Sequence, residues 1–352
     1  MKKILILHGY SAENIGDGLL VYEALEFLRE AYPNSVITVL SSYPNSFKSI
    51  KNVRYVRSKP SPTGYKLEYL KELFNLKDYD VIVGVGGGYL RTGGLKESIG
   101  TLLTHAPQLL AASFWGKKVV YLPQSIGPLG IFLRFFYKYL LSRIRTVYLR
   151  DDRSVAELQL KNIKRVPDMA ILKIANSYQT NCFNTSIGLD KDYPVFSVRK
   201  VKGNVPAKFF DLVKRYDIYD SYIQSSVGGN NDLEVSALLK PKVCLTKEEL
   251  MNTNAIRVVV AVRLHAALMA IERGHFVVHL SYERKGFSAF KDLGLEDYVF
   301  NVNDFNIDLV EERINNLIHD EISRKAYKEK ILARLPSLIN YRDSIIQEIK
   351  VI

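Results

Sequence analysis

Cysteine is nearly absent: Cys182 and Cys244 are the only two among 352 residues. Two thiols cannot build a disulfide framework, which points to a reducing compartment. They lie far apart in sequence and the six histidines form no H-E-x-x-H, so no metal site is expected. A G-x-S-x-G elbow and a Walker loop are missing as well. The apolar run Ile4–Leu7 behind Met1-Lys2-Lys3 is too short for a secretion signal. Nothing approaches the about 18 apolar residues of a membrane span. The expectation is a cytoplasmic chain that needs no staple, metal or cofactor to fold.

What is present suits that expectation. Hydrophobic residues make up 47% and charged residues 24%, the balance of a globular chain, and the length suits two domains. Lys+Arg 49 against Asp+Glu 37 leave a formal charge of +12. Such a surplus suits a polyanionic partner: a phosphorylated substrate, an anionic membrane surface or nucleic acid. Nucleic acid is the weakest of the three, because the cations are spread along the chain without a binding module.

Short β-rich apolar runs alternate with helical patterns. Strands are predicted at Ile4–Leu7, Val36–Leu40, Val81–Val85, Val119–Leu122 and Thr146–Leu149. Helices are predicted between them at Leu19–Glu30, Lys66–Asn75, Ser98–Phe114 and Leu129–Ser142. Periodicity lapses from about Asn176 to Asp192, where a linker is expected. The alternation then resumes with strands Val195–Val198, Ser221–Ser225, Arg257–Val262 and Phe276–Leu280, and helices Pro206–Tyr216, Asp232–Lys240 and Leu264–Arg273. A helical run from Leu309 to Ile349 closes the chain. Strands apolar on both sides and separated by helices mean parallel sheets covered on both faces. The expected fold is α/β, with two Rossmann-like domains, 1–180 and 181–352, facing across a cleft in the manner of GT-B glycosyltransferases, the C-terminal helices being expected to pack back on the first domain.

Ligands of open α/β sheets bind beyond the carboxyl ends of the strands. There the first half offers His8-Gly9, then Asn14-x-Gly16-Asp17-Gly18, where Asn14 or Asp17 either caps a helix or faces a ligand. Gly86-Gly87-Gly88 either lets a ligand approach bare backbone or allows tight packing. Gln124-Ser125 offers hydrogen bonds suited to sugar hydroxyls, and Arg150-Asp151-Asp152-Arg153-Ser154 reads as a helix cap with an ion pair. In the second half Arg199 and Arg263-Leu264-His265 follow buried strands. A guanidinium there needs an anion, from a ligand in a bidentate grip or from a local carboxylate. His265 in a first helical turn, near the positive dipole end, either caps or packs there or serves as a proton shuttle. Ser281 and Lys285 extend the anion-binding character. Finally, residues 131–145 interleave Phe132, Phe135, Phe136 and Tyr139 with Arg134, Lys138, Arg143 and Arg145. That pattern fits either a membrane-surface helix or a core helix with a basic stripe.

With these pieces in order, the chain resembles the polysaccharide pyruvyl transferase family. The resemblance rests on Asn14-x-Gly16-Asp17, Gly86-Gly87-Gly88-x-Leu90, Gln124-Ser125-Ile126-Gly127-Pro128, Arg150-Asp151-x-x-Ser154, Val166-Pro167-Asp168, Ser197-Val198-Arg199, Arg263-Leu264-His265 and Ser281-Tyr282-x-x-Lys285. It covers roughly residues 8 to 295. Gly18 after Asp17 and Tyr89 inside the glycine motif depart from the family pattern. The resemblance implies transfer of the enolpyruvyl unit of phosphoenolpyruvate to a sugar, leaving a pyruvate ketal. Arg199, Arg263, Leu264 and His265 are then expected at the donor, with Ser281 and Lys285 as secondary contacts. Asn14, Asp17, Gly87, Gly88 and Gln124 are expected on the acceptor side, in the first domain. The acceptor is expected to belong to a capsule, exopolysaccharide or cell-wall precursor, carried on a polyprenyl diphosphate. Residues 131–145 would then make peripheral contact with the inner membrane face. The alternative is a GT-B glycosyltransferase using a nucleotide sugar, with Glu283 alone to hold a ribose. A non-enzymatic sugar-binding protein accounts poorly for two arginines and a histidine at strand ends.

Overall fold

A computed structural model describes residues 1–180, 183–201, 203–224, 232–251 and 255–352. Cys182 and Ser225 lie outside the described residues. The first sheet is built from β1 (Lys3–Gly9), β2 (Val36–Ser41), β3 (Val53–Arg57), β4 (Val81–Gly84), β5 (Gly87–Leu90), β6 (Val119–Ile126), β7 (Thr146–Leu149) and β8 (Ile163–Arg165). Its order is β3-β2-β1-β4-β6-β7-β8, and β5 pairs with the carboxyl half of β6. The second sheet contains β9 (Val195–Ser197), β10 (Asp220–Tyr222), β11 (Cys244–Leu245), β12 (Val258–Ala261), β13 (Phe276–Ser281) and β14 (Val299–Asn301). Its order is β11-β10-β9-β12-β13-β14. Every pairing in both sheets is parallel. Apart from Lys3 at the start of β1, the central strands β1, β12 and β13 are buried, as their runs of Val, Ile and Leu require of strands covered on both faces.

The chain divides into two compact units: residues 1–169 with 340–352, and residues 170–339. The expected linker is partly helical, since helix Met169–Gln179 runs through Asn176. Two other segments depart from expectation. Ser98–Phe114 is two helices, Leu95–Thr104 and Ala106–Phe114, broken where Pro107 follows His105-Ala106. Proline lacks an N–H and clashes with the preceding turn, so the second helix begins anew there. The C-terminal run is likewise two helices, Ile307–His319 and Glu321–Lys350, separated at Asp320. Pro206 occupies the N-cap of helix Ala207–Val213 rather than its first turn.

Strand order reverses between β1 and β4 in one unit and between β9 and β12 in the other. At such a switch point the connections diverge to opposite sides and leave a crevice beyond the carboxyl ends. Each unit therefore has its own place for a ligand.

Candidate functional site

In the second unit the residues flanking the switch point are Arg199, after β9, and Arg263, at the N-cap position of helix Leu264–Glu272 after β12. His265 lies in the first turn of that helix and is half-buried. The neighbouring strand β13 ends in Ser281, followed by Tyr282. Arg199 Nη1 donates to the Tyr282 hydroxyl at 2.9 Å, and its guanidinium stands 5.0 Å from that ring's centroid. Parallel pairing thus gathers Arg199, Arg263, His265, Ser281 and Lys285 on one edge of the sheet.

Their roles there are not equal. Arg263 Nε and Nη2 both donate to the Asp232 carboxylate, at 2.9 and 2.7 Å. The side chains are 10% and 1% exposed. The anion that a strand-end arginine requires is here an internal carboxylate, so Arg263 is an oriented, charge-compensated cation. Ser281 is engaged within its own turn. Its hydroxyl donates to the Glu283 carbonyl at 2.6 Å, and a Cβ on Gly286 would sit 2.1 Å from it. The hydroxyl is enclosed in the turn that starts helix Arg284–Asp292. Lys285 pairs with the Glu283 carboxylate at 2.8 Å, which also engages the one acid considered for a ribose. Beneath this edge, His279 Nδ1 lies 2.8 Å from the Ala261 carbonyl and its ring stacks on Phe290. Burial lowers its pKa to about 4, so the ring is neutral and donates from Nδ1.

In the first unit the switch point is flanked by His8 and by the Gly86-Gly87-Gly88 run. The glycines divide their roles. A Cβ on Gly86 would meet the Pro123 carbonyl at 2.6 Å, and Gly87 has φ +148, so these two serve close packing and backbone shape. Gly88 is exposed, with only Arg150 Nη2 near its missing Cβ at 3.8 Å. Arg150 donates to the Ser125 hydroxyl at 2.9 Å and forms a buried pair with Asp168. Gln124 is fully buried, and its side-chain amide finds no partner among the described residues. Asp151 caps helix Asp152–Leu158, accepting from the Ser154 N–H at 2.8 Å. Asn14 holds the N-cap position of helix Ile15–Ala31, yet its amide donates to Asp17 at 2.6 Å instead of capping. Gly18 is required by packing, since a Cβ would lie 2.9 Å from Ala12 Cα.

Sequence reasoning did not anticipate the group around His8. This residue precedes the last residue of β1 and lies in the left-handed region, at φ 67. Its Nδ1 lies 3.2 Å from His105 Nδ1 and its Nε2 lies 2.8 Å from the Tyr121 hydroxyl, while the ring stacks on Tyr89. Burial, and then His105, holds the His8 pKa well below its usual value; burial takes His105 to about 4. A strand-end histidine was the only visible signal, because its partners come from β5, β6 and a helix break. Among the described residues no three of His, Cys, Asp and Glu gather as metal ligands.

Comparison with known proteins decides the family. The sequence model of one family, Polysaccharide pyruvyl transferase, matches residues 14–251. The chain belongs to the polysaccharide pyruvyl transferase family. Membership makes it a transferase of polysaccharide biosynthesis, acting on a sugar acceptor. No curated protein sequence matches it. Among solved structures, Anabaena Alr3699/HepE in complex with UDP and glucose is similar at TM-score 0.61 and 13% identity, each chain covered in full. A glycosyltransferase from Rickettsia africae gives 0.57 and 10%, covering 99% of this chain and 98% of the other. The UDP-GlcNAc 2-epimerase of Neisseria meningitidis bound to UDP-GlcNAc gives 0.56 and 12%, covering 99% of each. These likenesses establish a GT-B-type fold for this family member.

Proposed function

We propose that the chain transfers the enolpyruvyl unit of phosphoenolpyruvate to two hydroxyls of a sugar in a polysaccharide precursor. The observation supporting this is the convergence of Arg199, Arg263 and His265 on the switch point of the second sheet, within a member of this family. Phosphoenolpyruvate carries a carboxylate and a phosphate, and this edge offers guanidinium groups beside an imidazole. In the proposed reaction His265 delivers a proton to the methylene carbon, making it a methyl group. A sugar hydroxyl adds to the adjacent carbon and loses its proton. The bond to phosphate then breaks, phosphate departs, and the second hydroxyl closes the ketal with loss of a further proton. Arg199 meets the departing phosphate, where charge accumulates. Arg263, fixed by Asp232, presents a pre-oriented positive field at the same edge. In the first unit, Gly88, Gln124 and the Arg150-held Ser125 are the acceptor-side groups.

Arg199 and His265 are the informative positions, because loss of Arg263 would also strand the buried Asp232 carboxylate. Phosphate release from phosphoenolpyruvate is measured with acceptors containing galactose, glucose or mannosamine. His265→Asn is expected to lower kcat by about 10²–10⁴-fold, and Arg199→Ala to raise KM and lower kcat with an unchanged melting temperature. Near-normal turnover in both variants would overturn the assignment. A thermal-shift comparison separates the alternative: stabilisation by phosphoenolpyruvate and none by UDP supports pyruvyl transfer, and the reverse supports nucleotide-sugar chemistry.

A further inference from the structure

Helices Leu95–Thr104, Ala106–Phe114 and Ile131–Ser142 pack side by side on one face of the first sheet. Their inner residues Leu109, Ala112, Tyr137 and Leu140 join the core of that unit. The outer surface of a helix already packed on a core is expected to be polar. Here it is apolar. Phe132 is 90% exposed, Leu95 79%, Phe135 73% and Phe114 70%, with Ile99, Leu103 and Tyr139 exposed beside them. Scattered exposed apolar residues need no explanation, but a continuous surface on three adjoining helices marks a binding face.

Charge on the same elements indicates what covers it. On the three helices Lys96, Arg134 and Lys138 stand against Glu97, and Lys117, Lys118 and Arg143 lie just beyond the helix ends; Arg134 also faces Glu157 at 3.8 Å. Around Trp115, at one end of the face, a depression of about 510 Å³ is lined by Phe114, Lys117, Lys118 and Arg143. A two-fold contact with a second copy would bring these cations against one another. An anionic lipid surface neutralises them, while the aromatic side chains enter the interfacial layer. We infer that this three-helix face docks the enzyme on an anionic phospholipid bilayer.

The face also adjoins the acceptor-side strand ends. Helices Leu95–Thr104 and Ile131–Ser142 start from the loops after β5 and β6. Those loops are tied together where Thr92 N–H donates to the Pro128 carbonyl at 3.0 Å and Gly130 N–H to the Thr92 hydroxyl at 2.8 Å. Docking here therefore holds the acceptor side of the first sheet close to the bilayer, as a lipid-linked saccharide requires; this last step rests on the proposed function.

The test is co-sedimentation of the full chain with vesicles of phosphatidylcholine alone or mixed with phosphatidylglycerol. Binding is expected only to the anionic vesicles and is weakened by salt. Phe132→Ser/Phe135→Ser should weaken it by about tenfold or more, and Lys138→Glu by about fivefold. Phe132 and Phe135 are exposed and Lys138 is half-buried, and an unchanged thermal melt confirms that the fold is kept. Failure of the unaltered chain to pellet with anionic vesicles at low salt overturns the inference, as does undiminished binding of the aromatic double variant. A concentration-dependent dimer that the double variant renders monomeric would assign the face to a second copy instead. Turnover of phosphoenolpyruvate with a soluble acceptor, measured without vesicles, reads the proposed reaction separately, and both variants should retain it.

Discussion

Three arginines find their counter-charge inside the fold: Arg150 with Asp168, Arg257 with Asp220, and Arg263 with Asp232. In each pair both side chains are almost wholly buried. Replacing a buried ion pair by apolar residues of similar size is often nearly neutral, whereas removing one partner leaves an uncompensated charge and costs about 3–5 kcal/mol. Asp232→Ala is therefore expected to destabilise the chain on that scale, measured by urea unfolding. The double change Asp232→Leu/Arg263→Met should recover most of the loss. A single variant within about 0.5 kcal/mol of the parent would show that Arg263 does not depend on Asp232. The positions of these arginines at or beside strand ends were legible in sequence, because an apolar run shows where a parallel strand stops. Their partners were not. They lie 18, 37 and 31 residues away, and only tertiary folding brings them into contact.

At the scale of elements, the strands visible in sequence are the central ones. The edge strands β3, β8, β11 and β14 were missed, and the reason is physical. An edge strand is half exposed and carries charge to block further pairing, so Val53-Arg54-Tyr55-Val56-Arg57 and Ile163-Lys164-Arg165 do not read as apolar runs. β5 was missed because glycine masks the pattern. The last helix, Glu321–Lys350, was expected to return toward the first domain, and its final residues belong to the first unit. There Ile345, Ile346 and Ile349 are buried, Tyr32 donates to the Ile349 carbonyl at 3.0 Å, and Glu348 binds Arg145 at 2.7 Å and Lys164 at 3.1 Å. Ile349→Ala is expected to cost about 2–5 kcal/mol through the cavity it leaves. Deletion of residues 340–352 should lower the melting temperature much further. A truncated chain melting like the parent would mean that this segment is not part of the first unit's core.

Over the whole molecule, the histidines decide how the fold responds to acid. Four of the six are held neutral: His8 and His105 in the first unit, His275 and His279 in the second. Burial is the principal cause for each, with His105 adding to it at His8 and Lys328, Arg257 and Arg273 adding to it at His275. Three are lowered to about 4, and His8 lies well below its usual value. The unfolded chain binds protons at these rings once the pH falls below about 6.5, while the folded chain refuses them down to about 4. Their contribution is therefore fully present above about pH 6.5 and is lost as the pH falls through that window, with a slope approaching about 1 kcal/mol per pH unit for each histidine. Urea midpoints measured between about pH 7.5 and 4.5 should fall steeply on the acid side. His275→Gln, whatever its effect at neutral pH, should make that fall shallower by one proton's worth. A midpoint that stays constant across the window would mean that these rings accept protons in the folded state, and with it the neutral His8–His105 contact at the first switch point would have to be abandoned.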